Sequence, residues 1–127
     1  MNTLTTCIVD DDEVFVMGVK RILTRNNLCT DILVFENGLK ALNHLSSSGN
    51  VIPDTILLDI NMPVMDGWQF LEGFSKVKPT LGKPVTIYMI SSSIDPNDME
   101  KAKTYSDVKD YIVKPITTTD LQRIIVH

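Results

Sequence analysis

The chain has few of the residues that identify several special protein classes. Its 127 residues include only two cysteines, Cys7 and Cys29, and neither has a CxxC or metal-ligand spacing. We therefore expect small, reduced thiols rather than a disulfide framework or a zinc site. With 43% hydrophobic and 22% charged residues, the composition also argues against a disordered or collagen-like chain. The length predicts one domain, residues 1–127.

A long apolar run and an excess of basic residues are missing as well. No stretch approaches the roughly 18 apolar residues of a membrane span, and residues 1–4 lack the regions of a signal peptide. The sequence therefore predicts a cytoplasmic protein with no membrane partner. Twelve basic residues against sixteen acidic ones give a net charge of −4. Because nucleic-acid-binding domains usually have a basic face, we expect no direct nucleic-acid partner.

Short apolar runs alternate with amphipathic segments along the chain. The runs are residues 7–9, 32–35, 55–58, 85–90 and 111–113, and they are rich in β-branched and aromatic side chains. Such near-continuous runs are typical of strands that are buried on both faces of a parallel sheet.

The segments between the runs have the spacing of helices. Apolar stripes occupy positions Phe15, Val16, Val19, Ile22 and Leu23, then Leu39, Leu42 and Leu45, then Phe70, Leu71, Phe74 and Val77. Each stripe predicts a helix with one face against the sheet. Pro96 is typical of the first position of a fourth helix, and Thr117 or Thr118 of the cap of a fifth. Gly49 and Pro79 indicate where the second and third helices end.

Five strands that alternate with five helices predict an α/β fold with a parallel sheet covered on both sides. Right-handed crossovers make this a doubly wound, three-layer sandwich. In such folds the ligand site lies at the carboxyl edge of the sheet. Functional residues are therefore expected directly after the strands.

Charged and polar residues do follow four of the five predicted strands. Asp10, Asp11 and Asp12 follow the first, Asp59 the third, Ser91 to Ser93 the fourth and Lys114 the fifth. Each taken alone has an ordinary explanation as a helix cap, a loop or a solvated lysine. Together they suit a magnesium site, because gathered carboxylates repel one another and Mg²⁺ prefers oxygen ligands. A carboxylate can also act as a nucleophile toward phosphoryl groups.

Four motifs resemble those of the response-regulator receiver domain, the phosphoacceptor module of two-component signalling, in its chemotaxis-type single-domain form. They are VDD at 9–11, LDINMPVMDG at 58–67, ISS at 90–92 and VKP at 113–115. The resemblance extends from about Leu4 to Ile125. It implies a flavodoxin-like (βα)₅ sandwich with the strand order 2-1-3-4-5.

The resemblance also implies roles for individual residues. Asp59 is the expected phosphoacceptor. The side chains of Asp11 and Asp59 and the backbone carbonyl of Asn61 are the expected ligands of Mg²⁺, with Asp10 acting through a water. Asp12 is expected to cap the first helix instead.

Further roles follow for residues on the last two strands. The resemblance places Ser91 at the switch hydroxyl and Tyr111 at the switch aromatic. Lys114 is expected to contact the phosphoryl group, and the bond between Lys114 and Pro115 to be cis. Asn61, Ser92 and Ser93 are expected to line the mouth of the pocket.

The function implied is that of a receiver and not of a dedicated enzyme, although a receiver catalyses its own phosphorylation and dephosphorylation. A sensor histidine kinase or a histidine phosphotransfer protein is the expected phosphoryl donor. The surface of helix 4, strand 5 and helix 5 is the expected contact for an output protein. The chain is expected to be a monomer or a phosphorylation-dependent dimer, either as a stand-alone receiver or as a piece of a longer protein.

Three alternatives have different requirements. A phosphatase of the haloacid-dehalogenase type would have a second acid where Asn61 stands. A nucleotide- or flavin-binding domain would have a Gly- or Ser/Thr-rich phosphate loop after the first strand, where three aspartates occur. A degenerate receiver that serves as a docking scaffold would have lost pocket residues, and all of them are present here.

Overall fold

The computed structural model describes residues 4–126, which fold as an alternation of strands and helices. The strands are β1 (Thr5–Val9), β2 (Asp31–Phe35), β3 (Thr55–Asp59), β4 (Thr86–Ser91) and β5 (Val108–Val113). The helices are α1 (Glu13–Arg25), α2 (Gly38–Ser46), α3 (Gly67–Val77), α4 (Pro96–Lys103) and α5 (Thr118–Val126). A 3₁₀ turn, Lys78–Thr80, extends α3.

Within the described residues the strands form one parallel sheet of order β2-β1-β3-β4-β5. This confirms the α/β class and the strand order. Residues that alternate along β3 enter different cores, since Ile56 and Leu58 pack with α2 and α3 whereas Leu57 packs with α1 and α5. Both faces of the sheet are therefore covered, and its carboxyl edge lies between the two helical layers.

The helix-start signals in the sequence agree with the structure. The α4 helix starts at Pro96, after Asp95 as its cap. Before α5, the Thr117 hydroxyl accepts a hydrogen bond from the Asp120 amide, and the Asp120 carboxylate accepts one from the Thr117 amide, both at 3.0 Å. Thr117, rather than Thr118, is therefore the cap of the fifth helix.

Two boundaries differ from the expectation. The α2 helix ends at Ser46, before Gly49, because the hydroxyls of Ser46 and Ser47 bond back to helix carbonyls and the backbone becomes extended at Ser47. The β5 strand starts at Val108, three residues earlier than the apolar run, because it is an edge strand with exposed polar side chains. Leu39, which the sequence assigned to the apolar stripe of α2, is 41% exposed.

Among residues 4–126, every helix is too short or too polar to cross a membrane.

Candidate functional site

The strand ends bring the predicted site residues to one edge of the sheet. Asp59 is the last residue of β3, Ser91 is the last of β4, and Asp10 and Lys114 directly follow β1 and β5. Asp59 is paired with Ile90 across the β3–β4 ladder, so its carboxylate lies level with the end of β4. The parallel register thus assembles residues that are far apart in the chain.

Three aspartates form the acidic part of the site. One carboxylate oxygen from each of Asp10, Asp11 and Asp59 lies within 4.8 Å of the others. Asp10 and Asp59 are only 3% and 7% exposed, whereas Asp11 is open to solvent. The Asp10 carboxylate accepts a hydrogen bond of 2.9 Å from the amide of Asp12. The Asp10 side chain is therefore held against its two neighbours despite their like charge.

Burial dominates the electrostatics of these acids. Burial, together with the nearby charge of Asp10, raises the pKa of Asp59 to about 6, although the charge of Lys114 opposes the shift. Burial also raises the pKa of Asp10, against the hydrogen bond from Asp12 and the charge of Lys114. Asp59 is thus largely ionised at neutral pH but holds its charge at a cost in free energy.

The Lys114 side chain provides the positive charge. Its ammonium lies 2.9 Å from Asp10 Oδ2 and 3.7 Å from Asp59 Oδ1, and the side chain is 17% exposed. The Lys114 amide donates a hydrogen bond of 2.8 Å to the carbonyl of Ser91, which joins the ends of β4 and β5. The peptide bond between Lys114 and Pro115 is cis, as the resemblance implied.

The donor set suits a hard divalent cation. Asp10 Oδ2 is buried, and apart from its ion pair with Lys114 it accepts no hydrogen bond from the residues the structure describes. Carboxylate oxygens that converge around an unsatisfied position are the ligands that Mg²⁺ takes, together with waters and phosphate oxygens. Asn61, whose backbone carbonyl was expected as a further ligand, follows β3 by two residues and is exposed at the same edge.

Asp12 stands apart from the acidic cluster. Its carboxylate accepts hydrogen bonds from the amides of Val14 and Phe15, so it is the N-cap of α1. This confirms the expectation that Asp12 caps the first helix.

Ser93 connects the site to α4 and to Tyr111. Its amide donates to the hydroxyl of the fully buried Ser91, and its carbonyl accepts from the Tyr111 hydroxyl, both at 3.0 Å. Its own hydroxyl donates to the Asp98 carboxylate in the first turn of α4 at 2.9 Å. The sequence had placed Ser93 only at the mouth of the pocket. Its side chain instead ties the end of β4 to the following helix.

Phe15 was also missed as a residue of the site. Its position in the apolar stripe of α1 predicted a core residue, and it is half-buried. The Lys114 ammonium lies 4.3 Å from the centroid of its ring. No sequence pattern near Phe15 predicts this contact, because Lys114 lies near the opposite end of the chain.

A groove next to the site lies between α4 and β5. It has a volume of about 360 Å³ and is lined by Pro96, Met99, Glu100, Ala102, Lys103, Val108, Lys109, Asp110 and Tyr111. The ring of Tyr111 therefore has one side toward this groove while its hydroxyl is bonded to the β4–α4 loop. The predicted switch aromatic joins the acidic edge to the surface of α4 and β5.

The fold is a parallel five-stranded α/β sandwich, and its carboxyl edge carries acids and a lysine. These features place the protein in the class of doubly wound, receiver-like domains. The family model of the response regulator receiver domain matches residues 6–126. The chain therefore belongs to the response regulator receiver domain family.

Known proteins with similar sequences are regulators and kinases of this type. The chain is 29% identical over 122 residues to the probable methanogenesis regulatory protein FilR2 of Methanothrix harundinacea, covering 93% of this chain and 76% of that protein. It is 28% identical to the hybrid signal transduction histidine kinase I of Dictyostelium discoideum, of which it spans only 7%. It matches the crystal structure of a response regulator receiver protein from Dyadobacter fermentans with a TM-score of 0.83 and 28% identity, over 96% of this chain and 94% of the other.

Proposed function

We propose that this receiver domain accepts a phosphoryl group on Asp59 from a phosphohistidine donor. The observation that carries the proposal is the Asp59 carboxylate, buried at the end of β3 beside Asp10 and with the Lys114 ammonium 3.7 Å away. A nucleophile in phosphoryl transfer needs positioning and nearby positive charge more than it needs an acid or base. The site supplies both around one carboxylate.

In the proposed step a carboxylate oxygen of Asp59 forms a bond to phosphorus while the phosphorus–nitrogen bond of phosphohistidine breaks. The imidazole leaves with the bonding electron pair, and the product is an aspartyl phosphate. A Mg²⁺ ion, when held by Asp11, Asp59 and the Asn61 carbonyl, with Asp10 acting through a water, would supply charge neutralisation for the phosphoryl oxygens. Asp59 must be ionised to attack, which a pKa of about 6 allows at neutral pH.

The phosphoryl group would then change the contacts of Lys114 and Ser91. It adds a charge of about −1.5 to −2 and three acceptor oxygens at the edge of the sheet. The Lys114 ammonium is already beside Asp59. The Ser91 side chain would rotate to donate to the phosphoryl group, and this rotation would move its oxygen away from the Ser93 amide. Because Ser93 also holds Tyr111 and α4, its release would alter the surface of α4, β5 and α5.

The proposed donor is a sensor histidine kinase or a histidine phosphotransfer protein, and the α4–β5–α5 surface is the proposed contact for an output protein. The similarity to a segment of a hybrid histidine kinase supports a donor of this kind. We propose a cytoplasmic location, a monomer or a phosphorylation-dependent dimer, and self-catalysed phosphorylation and dephosphorylation without turnover of an external substrate.

Phosphorylation of two variants with acetyl phosphate tests the acceptor. Asp59→Asn should incorporate no acid-labile acyl phosphate, because the amide is not a nucleophile, whereas Asp31→Asn should incorporate it normally. Asp31 is a matched control because it is exposed and begins β2, at the other end of the sheet from the site. Mass spectrometry of the intact chain and hydroxylamine sensitivity of the label identify an aspartyl phosphate.

Three outcomes separate this proposal from its alternatives. Phosphate retained in Asp59→Asn would show that another residue is the acceptor. A folded wild-type chain that takes up no phosphate from acetyl phosphate or from a phosphohistidine donor would indicate a docking scaffold. Steady release of product from p-nitrophenyl phosphate would indicate a phosphatase.

A further inference from the structure

The Lys114 ammonium lies between two unlike surroundings. On one side are the Asp10 and Asp59 carboxylates, at 2.9 and 3.7 Å. On the other side is the ring of Phe15, whose centroid is 4.3 Å from the ammonium nitrogen. A cation at this distance over an aromatic face is attracted by the negative face of the ring.

Phe15 has neighbours other than Lys114 on both its backbone and its side chain. Phe15 lies in the first turn of α1, and its amide donates a hydrogen bond of 3.2 Å to the capping carboxylate of Asp12. The side chain also lines a small apolar groove with Pro115 and Ile116, which follow Lys114. The start of α1 and the connection between β5 and α5 therefore meet at this ring.

We infer that Phe15 is a positioning residue for Lys114, holding its ammonium at the site through a cation–π contact. A lysine side chain has many rotamers, and those that point to solvent would take the ammonium away from Asp59. The aromatic face favours the rotamer in which the ammonium lies beside both carboxylates. The inference rests on the proposed function, because the positioned lysine matters for phosphoryl transfer to Asp59.

A series of substitutions at position 15 tests the contact by its chemistry rather than its size. Phenylalanines with one, two and three ring fluorines, incorporated by amber suppression, nearly keep the ring volume while they weaken the negative face stepwise. We expect the rate of Asp59 phosphorylation by acetyl phosphate to fall with each fluorine. Phe15→Leu should lower the rate by about 2- to 30-fold, and Phe15→Tyr should keep it near the wild-type value.

Two controls separate the cation–π contact from packing. Trifluorophenylalanine at Phe74, which is fully buried beside α2 and lies over no cation within residues 4–126, should leave the rate unchanged. In a Lys114→Ala background the series at position 15 should have no further effect, because the cation is gone. A flat rate across the series, or the same decline in Lys114→Ala, would overturn the inference.

A nuclear magnetic resonance measurement tests the contact without phosphorylation. The ring current of Phe15 should shift the Lys114 Hε resonances upfield in the wild-type chain and in Phe15→Tyr, and the shift should be lost in Phe15→Leu. Lack of this shift in the folded wild-type chain would refute the contact. If the shift is present but Asp59 accepts no phosphate, it is the proposed function that fails, and the contact stands as a structural one.

Discussion

The Asp59 carboxyl carries its charge where water solvates it poorly, and this makes stability depend on pH. Burial, with the charge of Asp10, raises its pKa from 3.8 to about 6. A carboxyl whose pKa is higher in the folded state favours folding when protonated. Its contribution is therefore fully present below about pH 4 and is lost as the pH rises through 6. The shift corresponds to about 3 kcal/mol of unfolding free energy.

We expect Asp59→Asn to be more stable than the wild type at pH 7.5 without divalent cations, by about 1–3 kcal/mol. The amide keeps the shape of the side chain and removes the buried charge. Urea unfolding in the presence of a chelator, at pH values from 4.5 to 7.5, measures this difference. The gain should shrink as the pH falls toward 4, and a gain that is independent of pH would contradict the electrostatic cause.

Magnesium should offset the destabilisation that the buried Asp59 charge causes in the wild-type chain. A cation that binds the folded state alone raises the midpoint of thermal unfolding, and the three carboxylates lie close enough to share it. Asp11→Asn should reduce the rise, because it removes a proposed ligand. Asp12→Asn is the matched control, since asparagine also caps helices well and Asp12 faces α1.

The comparison is made by scanning calorimetry with and without millimolar Mg²⁺. An equal magnesium response in wild type and Asp11→Asn would remove Asp11 from the site. A midpoint that does not change with Mg²⁺ in the wild type would count against the metal site as a whole.

At the scale of elements, α3 begins unusually close to the strand that carries the site. A Cβ added at Gly67, the first residue of α3, would lie 2.6 Å from the backbone oxygen of Asp59 and 3.0 Å from Cα of Ile60. These are backbone atoms, so a side-chain rotation cannot relieve the contact. The end of β3 and the start of α3 can approach one another in this way only with glycine at position 67.

We expect Gly67→Ala to lower the unfolding free energy by about 1–3 kcal/mol and to slow phosphorylation of Asp59, because β3 or α3 must shift. Gly18→Ala is the matched control. Gly18 lies inside α1, and apart from its chain neighbours and the helix backbone no atom lies within 4 Å of an added Cβ, so alanine there should stabilise by about 0.5–1 kcal/mol. Urea unfolding measures both changes, and a neutral Gly67→Ala would refute the predicted clash.

The α4 helix is the least apolar of the helices around the sheet, and its anchors are mainly polar. Ala102 is its buried residue among those the structure describes. Ser93 bonds to Asp98 at its start, and the Tyr105 hydroxyl beyond its end donates to Glu72 of α3 at 3.0 Å. Tyr105 also stacks on Trp68, with 5.9 Å between ring centroids. Exchanging such polar contacts costs less free energy than separating a packed apolar face. This property suits the proposed movement of α4.

For the molecule as a whole, the proposed switch connects Lys114 at one edge of the sheet to Tyr111 on the α4–β5 surface. Lys114→Ala should still permit phosphorylation of Asp59, but phosphorylation should no longer change the surroundings of Tyr111. The substitution removes the cation that pairs with the negative phosphoryl group. The ring resonances of Tyr111, followed as beryllofluoride is added, measure the coupling. They should shift in the wild type and remain unchanged in Lys114→Ala.

Lys76→Ala is the control for this prediction, because Lys76 is an exposed lysine on α3. It should respond to beryllofluoride as the wild type does. A Tyr111 response that persists in Lys114→Ala would show that Ser91 and Ser93 carry the coupling without Lys114, and would contradict the role predicted for Lys114.

Much of the molecule is predictable from local patterns in the chain. Apolar runs of strand length and stripes of helical spacing determine the alternation of elements. Each pattern buries its apolar side chains together in only one kind of secondary structure. Once the alternation is known, the carboxyl edge is the expected place for a site. Asp10, Asp59, Ser91 and Lys114 each directly follow or end a run, so their convergence could be expected before any geometry was known.

The tertiary structure alone decided which groups touch and at what cost in free energy. The pKa of Asp59, the role of Ser93 and the contact between Phe15 and Lys114 depend on loop paths and on the register between strands far apart in the chain. The true start of β5 also depends on its place at the edge of the sheet, where polar side chains remain solvated. Periodicity in the sequence indicates which side of an element is buried. The distances between side chains on different elements depend on how the sheet and its loops assemble.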